Sequence, residues 1–293
     1  MGRFADTIRL RRFAVTTELT PPKGTDLSEL FAKADQLRDY VDGCNLTESP
    51  RARMAIAPAA VGHLLIDRGL DPIVQVTARD RNRIAFQADL LGATALGIGN
   101  FLFMMGDAPA HGDHPEAKAV FDLNSVEMLR AARGLAEGRD VAGHELKGAP
   151  KLFLGATVNP GASNFDVEIT NARAKIDAGA RFVQTQAVYD IARLRRFIDA
   201  VKPDGVAVLA GIIPLKSARM GGWLNSNVPG IHVPAELLAE MEAVAGSEAE
   251  VRTGIAIAAR IIAGVRDVCA GVHLMTMGWE THIPEILRAS GLR

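Results

Sequence analysis

Eight short apolar runs, each followed by a stretch with apolar residues at helical spacing, set the architecture this chain predicts. The runs are residues 13–20 (FAVTTELT), 41–48 (VDGCNLTE), 73–78 (IVQVTA), 96–106 (LGIGNFLFMMG), 151–159 (KLFLGATVN), 182–188 (FVQTQAV), 206–213 (VAVLAGII) and 271–277 (GVHLMTM). Their length and their Val, Ile, Leu, Phe and Thr content are those of buried strands. Segments such as LSELFAKADQLRDY, NRIAFQADLLG, VEITNARAKIDAG and AELLAEMEAVAG lie between them and carry the helical period. Strand then helix, eight times over about 250 residues, predicts an α/β chain folded as a (βα)8 barrel. Residues 1–293 are expected to form one such domain. A doubly wound parallel sheet is the structural rival.

A barrel builds its active site where the strands end, so polar residues at those points are candidates for chemistry. They are Glu18, Thr47, Glu48, Thr77, Arg79, Asp80, Asp107, Asn159, Gln184, Gln186, Lys216 and Thr276. Glu18, in TELTPPKG, precedes a Pro pair that turns the chain outward. A carboxyl under the barrel mouth is partly desolvated, which favours its protonated form and suits a general acid. The competing reading is a rim glutamate paired with Lys23. Asp107 follows Gly106 in MMGDAP, where it can stabilise a developing cation or simply begin a turn. Gln184 and Gln186 alternate along FVQTQAV and so share one face. They either meet a ligand or close an internal network. TARDRNR, residues 77–83, reads mainly as a solvated helix start, with one arginine able to reach a phosphate or carboxylate.

Composition narrows the partners. The 33 basic and 34 acidic residues give a formal net charge of -1, which provides no field to gather nucleic acid or an anionic membrane. A small molecule is the expected partner. The two cysteines, Cys44 and Cys269, have no zinc-site spacing and read as free thiols in a reducing compartment. His111 and His114 stand in a Gly/Pro loop without further ligands, so no metal is expected. The basic start MGRFADTIRLRRF has no apolar core of signal-peptide length, and no apolar run reaches membrane-spanning length. A cytoplasmic location is the expectation. LGIGNFL fails the dinucleotide fingerprint in pattern and context. Lys216 reads as a solvated lysine rather than a Schiff-base former. Residues 107–122 form a long loop on the expected active-site side, a candidate lid, and residues 136–150 a second on the opposite side.

TELTPPKG, NLTES, VTARDRNR, LFMMGDAP, LGATVNPGA, KIDAGARFVQTQAVYD, LAGIIP and GVHLMTMGW occur in this order. As an ordered set they resemble the methylenetetrahydrofolate reductase family along essentially the whole chain, in its short bacterial form. The resemblance implies a flavin-bearing barrel that reduces 5,10-methylenetetrahydrofolate to 5-methyltetrahydrofolate, or runs the reverse, with NAD(P)H as hydride donor. It implies Glu18 as general acid, Asp107 as stabiliser of the cationic folate and Gln186 as a substrate contact. Thr47, Gln75, Thr77, Gly106, Asn159, Asn171 and Lys175 fall where flavin contacts are expected, with Lys175 directed to a flavin phosphate.

FAD is the implied cofactor, while FMN, or no flavin with direct hydride transfer, stays open because several flavin positions depart from the family pattern. Met105 stands for an arginine, Gln75 for a histidine, Asn159 for a tyrosine, Ser163 for a histidine and Ala174 for a basic residue. The implied partners are a folate and a nicotinamide dinucleotide, with a homo-oligomer expected and an accessory subunit an alternative. A pterin-dependent methyltransferase barrel and a folate-binding subunit of a complex are the other readings.

Overall fold

Each of the eight apolar runs folds as a strand: β1 Ala14–Leu19, β2 Gly43–Leu46, β3 Pro72–Thr77, β4 Asn100–Met104, β5 Phe153–Val158, β6 Phe182–Ala187, β7 Ala207–Ile212 and β8 Gly271–Leu274. The computed structural model of the protein describes residues 2–292. Met1 and Arg293, where the expected domain and its basic N-terminal stretch begin and where the domain ends, lie outside the described residues. All strand pairs are parallel, and β1 pairs with β8 as well as β2, so the sheet closes into a barrel. That closure removes the doubly wound rival. Parallel strands covered on both faces bury nearly every residue, which is why they read as continuous apolar runs. Four strand positions are only partly buried: Glu18, Met104, Thr157 and Gln186.

Helices return the chain from each strand to the next: α2 Ser28–Leu37, α3 Pro58–Ile66, α4 Arg83–Ala95, α5 Ser125–Ala136, α6 Phe165–Ala178 and α7 Ile191–Val201. Three more, α8 Ala218–Asn227, α9 Ala235–Glu242 and α10 Ala249–Val265, separate β7 from β8, and α11 Ile283–Ala289 ends the fold. Side-chain caps fix several starts. Asn124 and Glu127 form a reciprocal capping box at α5, and Asn82, Asn164, Asp190 and Ser217 cap α4, α6, α7 and α8.

The helix before the first strand, α1 Arg3–Arg9, has no counterpart in the sequence reading. It closes the N-terminal end of the barrel. Phe4 is fully buried edge-on against Phe153 (5.7 Å between ring centroids) and Phe182 (4.9 Å). Ile73, Leu102 and Leu209 complete this inner core. Its placement depends on Gly155, where a Cβ would lie 2.2 Å from the Phe182 ring. Asp71 holds α1 in place by accepting the Phe4 N–H at 2.8 Å.

The ladder is irregular at one point. Between β6 and β7 the register passes from Gln184↔Leu209 to Ala187↔Gly211, and the Gly211 N–H donates to Thr185 Oγ1 at 2.9 Å. This is a bulge at the mouth, the kind of feature that re-aims a side chain beside an active site. Gln186 lies within it.

The reading of TARDRNR as a solvated helix start holds for Asn82 and Arg83, which are exposed at the start of α4, and needs correction for Arg79 and Arg81. Helix α4 begins only at Arg83, and Arg79 is 3% exposed. Arg79 donates twice to Asp80 and also to the Ser49 and Asp107 carbonyls. Arg81 pairs with Glu48 through both carboxylate oxygens at 2.7 Å. These guanidiniums tie together the loops above β2, β3 and β4, because the tight turn after β3 directs them inward where acceptors are available.

Candidate active site

A cavity of about 480 Å³ opens over the C-terminal ends of the strands. All four partly buried strand positions, Glu18, Met104, Thr157 and Gln186, belong to its wall. Leu102, Met104, Val158 and Met275 give it apolar surface.

Beneath it runs a fully partnered polar chain. Gln184 and Asn45 exchange side-chain hydrogen bonds at 2.7 and 3.1 Å, and Gln184 donates to Thr16 Oγ1 at 3.4 Å. Thr16 Oγ1 in turn lies 3.0 Å from His273 Nδ1. All four residues are at most 3% exposed. Gln184 is therefore part of the internal network, the alternative foreseen for it, and it also reaches the cavity wall.

Glu18 sits at the upper end of that chain. Its Oε2 is 3.8 Å from His273 Nε2, and its side chain is 24% exposed. The competing reading of a Glu18–Lys23 pair is excluded, because Lys23 pairs with Asp113 at 2.7 Å. Sequence reasoning missed His273. The signal was present in GVHLMTM, where a histidine inside an otherwise apolar strand must find a polar partner.

Thr47, Gln75, Asn159, Asn171, Lys175 and Gln186 join Glu18 in the wall. Thr47 Oγ1 is buried without a hydrogen-bond partner, alone in this among side-chain N and O atoms of the described residues. An orphaned hydroxyl costs on the order of 1–3 kcal/mol unless a ligand satisfies it. Gln186 Oε1 accepts the Ala187 N–H at 2.9 Å, which leaves its amide donors for the cavity. Glu168 arranges the far side: it accepts the Asn159 N–H at 2.7 Å and the Asn171 amide at 3.2 Å. Lys175 is 6% exposed and donates to the Thr157 carbonyl at 2.8 Å. Burial holds its pKa below the usual lysine value, with Glu168 opposing the shift.

Three expected residues stand outside this wall. Thr77 is buried against Glu48, which accepts from its N–H at 2.5 Å and its hydroxyl at 2.8 Å. Gly106, at φ +82°, passes so close to Thr77 that a Cβ would lie 2.9 Å from the Thr77 Cβ. Asp107 is exposed and accepts the Arg51 N–H at 3.0 Å. It thereby holds a loop in which Ser49, Arg51 and Ala52 all have positive φ, a strained conformation for residues other than glycine.

A second, lateral cavity of about 900 Å³ shares Glu18, Thr20 and Pro50 with the first. Lys216 contributes to neither and donates to the Met277 carbonyl. Among the described residues no group of three or more His, Cys, Asp or Glu side chains could hold a metal ion. Cys44 is fully buried, and burial pushes its thiol pKa far up. The Cys269 thiol is pushed up to about 12 by the same cause. No helix among the described residues is long and apolar enough to cross a membrane.

Chemically, the central cavity presents apolar surface edged by amides and hydroxyls, one buried cation and two carboxyls, Glu18 at the rim and Glu168 on the far side. That suits a planar heteroaromatic ligand and a proton transfer at its edge.

A family model described as methylenetetrahydrofolate reductase matches residues 3–291. A Pectobacterium carotovorum 5,10-methylenetetrahydrofolate reductase is 26% identical over 242 residues, covering 75% of this chain and 74% of the relative. Methylenetetrahydrofolate reductase 1 of Schizosaccharomyces pombe is 24% identical, covering 94% of this chain and 45% of the relative. A probable NADPH-type reductase of Caenorhabditis elegans is 23% identical and is covered over 33% of its length. The chain thus spans between a third and a half of these two eukaryotic relatives. Among solved structures, a Clostridium thermocellum protein described as binding two copies of 5-methyl-5,6,7,8-tetrahydrofolic acid superposes with a TM-score of 0.65 at 15% identity. That superposition covers 99% of this chain and 98% of the other, and at this identity the likeness is one of fold.

Proposed function

The chain belongs to the methylenetetrahydrofolate reductase family, and from that premise we propose that it reduces 5,10-methylenetetrahydrofolate to 5-methyltetrahydrofolate with a bound flavin and NAD(P)H. The observation that carries the reading is one cavity holding both an unsatisfied buried hydroxyl, Thr47 Oγ1, and the rim carboxyl of Glu18. The first fits a ligand's hydrogen-bonding edge, and the second is placed for proton transfer beside it. Gln75 and Asn171 supply further amides for the ring, and Lys175 a cation for a phosphate. Bound flavin would supply hydride from the nicotinamide to the folate carbon.

The remaining work falls to the chain's own residues. The substrate's methylene bridge must open before its carbon can accept hydride, and the departing nitrogen needs a proton. Glu18 would hold that proton and deliver it, with His273 bracing the carboxyl from the inner side. The amide donors of Gln186 would fix the pterin so that its carbon faces the hydride source. Asp107 would act from the rim through its charge alone, since its carboxylate faces Arg51. Balance is kept: one hydride and one proton enter, and one methyl group results.

FAD is the flavin the resemblance implies. One observation favours FMN as the second reading: Lys175 is the only lysine or arginine among the described residues of the cavity wall, which matches one phosphate rather than two.

The test is to follow two half-reactions separately, with anaerobic reduction of the flavin-loaded protein by NADH or NADPH and reoxidation by methylenetetrahydrofolate. The proposal expects both, with 5-methyltetrahydrofolate as product. Nicotinamide oxidation without a folate product contradicts it. Methyl transfer without nicotinamide oxidation would favour the methyltransferase reading.

A further inference from the structure

At the N-terminal end of the barrel, beside the aromatic core around Phe4, lies a cavity of about 430 Å³ that the proposed chemistry does not use. It opens where the chain enters β1, β7 and β8. The Ala14 N–H donates to the Ala270 carbonyl and the Ala270 N–H to the Val208 carbonyl, both at 2.9 Å, which sets these three entries side by side. Phe13, Val206 and Ala270 give the wall apolar surface, and Arg11, Arg12 and Arg266 give it charge. No aspartate or glutamate lines it. Elsewhere the arginines are matched: Arg68, Arg81, Arg83 and Arg260 each pair with a carboxylate. Among the described residues the side chains of Arg11, Arg12 and Arg266 have no hydrogen bond, ion pair or ring contact. Three like charges around one cavity repel, and nothing in the wall offsets them.

Arg11 stands there against local preference. Helix α1 ends in a Schellman motif, in which the Arg11 N–H donates to the Ile8 carbonyl at 3.0 Å and the Arg12 N–H to the Thr7 carbonyl at 3.1 Å. Glycine is the usual residue at the left-handed position of this motif, and Arg11 occupies it at φ +51°. A side chain kept at a strained position without an intramolecular partner marks a functional site. We propose that this cavity binds a small organic phosphate, with Arg11, Arg12 and Arg266 on the phosphate oxygens and Phe13 and Val206 against the apolar body. Guanidinium forks match phosphate geometry, and the volume is that of a small-molecule pocket. The site lies at the opposite end of the barrel from Glu18, so its occupant takes no part in folate chemistry and the inference stands apart from the reductase reading.

The experiment titrates the protein calorimetrically with phenyl phosphate and with inorganic phosphate at low ionic strength, and repeats both titrations with Arg11→Gly, Arg266→Gln and Lys175→Met. Phenyl phosphate is expected to bind the wild-type protein more tightly than inorganic phosphate does. Arg11→Gly and Arg266→Gln are each expected to weaken phenyl phosphate binding about 10-fold, while Lys175→Met, in the central cavity, leaves it unchanged. Arg11→Gly installs the residue that the left-handed position favours, so its Tm should not fall, and weaker binding in that variant cannot be put down to unfolding. Absence of phenyl phosphate binding to the wild-type protein overturns the proposal, and so does equal binding by the wild type and both arginine variants. Binding lost in Lys175→Met but kept in the arginine variants would put the phosphate in the central cavity and overturns it too. Equal affinity for the two probes overturns the assignment of an organic ligand.

Discussion

The two ends of the barrel are built on opposite rules. At the N-terminal end Phe4, Phe153 and Phe182 fill the interior and the Phe4 N–H is taken by Asp71. At the C-terminal end the interior is hollow, a hydroxyl goes unsatisfied, four strand positions are partly open and three residues other than glycine in one loop have positive φ. Filling one end and leaving the other strained and unsatisfied is the signature of a scaffold that gives up stability where a ligand will bind.

The sharpest way to separate the ends is by variants that should affect only one of them. Glu18→Gln should lower the rate of folate reduction by about 10²–10⁴-fold while Tm and flavin reduction by NAD(P)H stay unchanged. Equal loss of both half-reactions would break the assignment of Glu18 to the folate step. At the other end Phe182→Ala should cost about 3–5 kcal/mol in denaturant unfolding, with the flavin Kd unaltered. If ligand affinity fell in parallel, the two ends would not be independent.

Lys175→Met comes next. Loss of a charged hydrogen-bond donor is expected to weaken binding of a phosphorylated flavin by about 1.5–3 kcal/mol while riboflavin affinity stays level, as fluorescence titration would read directly. The same variant has a pH signature. Because burial lowers the Lys175 pKa below 10.5, the unfolded chain binds more protons than the folded one between the lowered value and 10.5. Stability contributed by this group therefore rises with pH across that window. Urea unfolding should show the rise in the wild-type protein and not in Lys175→Met.

The smallest effect is expected of Thr47→Val. It removes the orphaned hydroxyl, so the flavin-free protein should keep or gain stability, while flavin binding weakens by about 0.5–1.5 kcal/mol. A loss of stability in the flavin-free protein would mean that the hydroxyl has a structural role.

The contrast also marks what the sequence made legible. Parallel strands buried on both faces leave continuous apolar runs, so β1 to β8 could be read directly, and polar residues at the ends of those runs pointed to Glu18, Thr47, Asn159 and Gln186 at the mouth, while Gln75 came from the family resemblance. Helix α1 was not legible, because seven residues with one key phenylalanine carry no local sign of a long-range contact. Gln184 and Gln186 share one face and both line the cavity, yet Gln184 is also held in the internal network while Gln186 lies at a bulge, and a bulge is a property of strand pairing. Asp107 stands outside the cavity wall and accepts the Arg51 N–H of a different loop, a contact between residues far apart in the chain. His273 shows the reverse case: its signal was in the sequence, but only the closure of β8 onto β1 brings it to Glu18.

The most direct test of the central claim, that the open end is built to hold a flavin, is the visible spectrum of the purified protein with the chromophore identified after denaturation. The account predicts flavin absorption bands from bound FAD or FMN, or their appearance on adding flavin to the colourless protein, and their loss of intensity on adding NAD(P)H. A colourless protein that takes up neither flavin would contradict it.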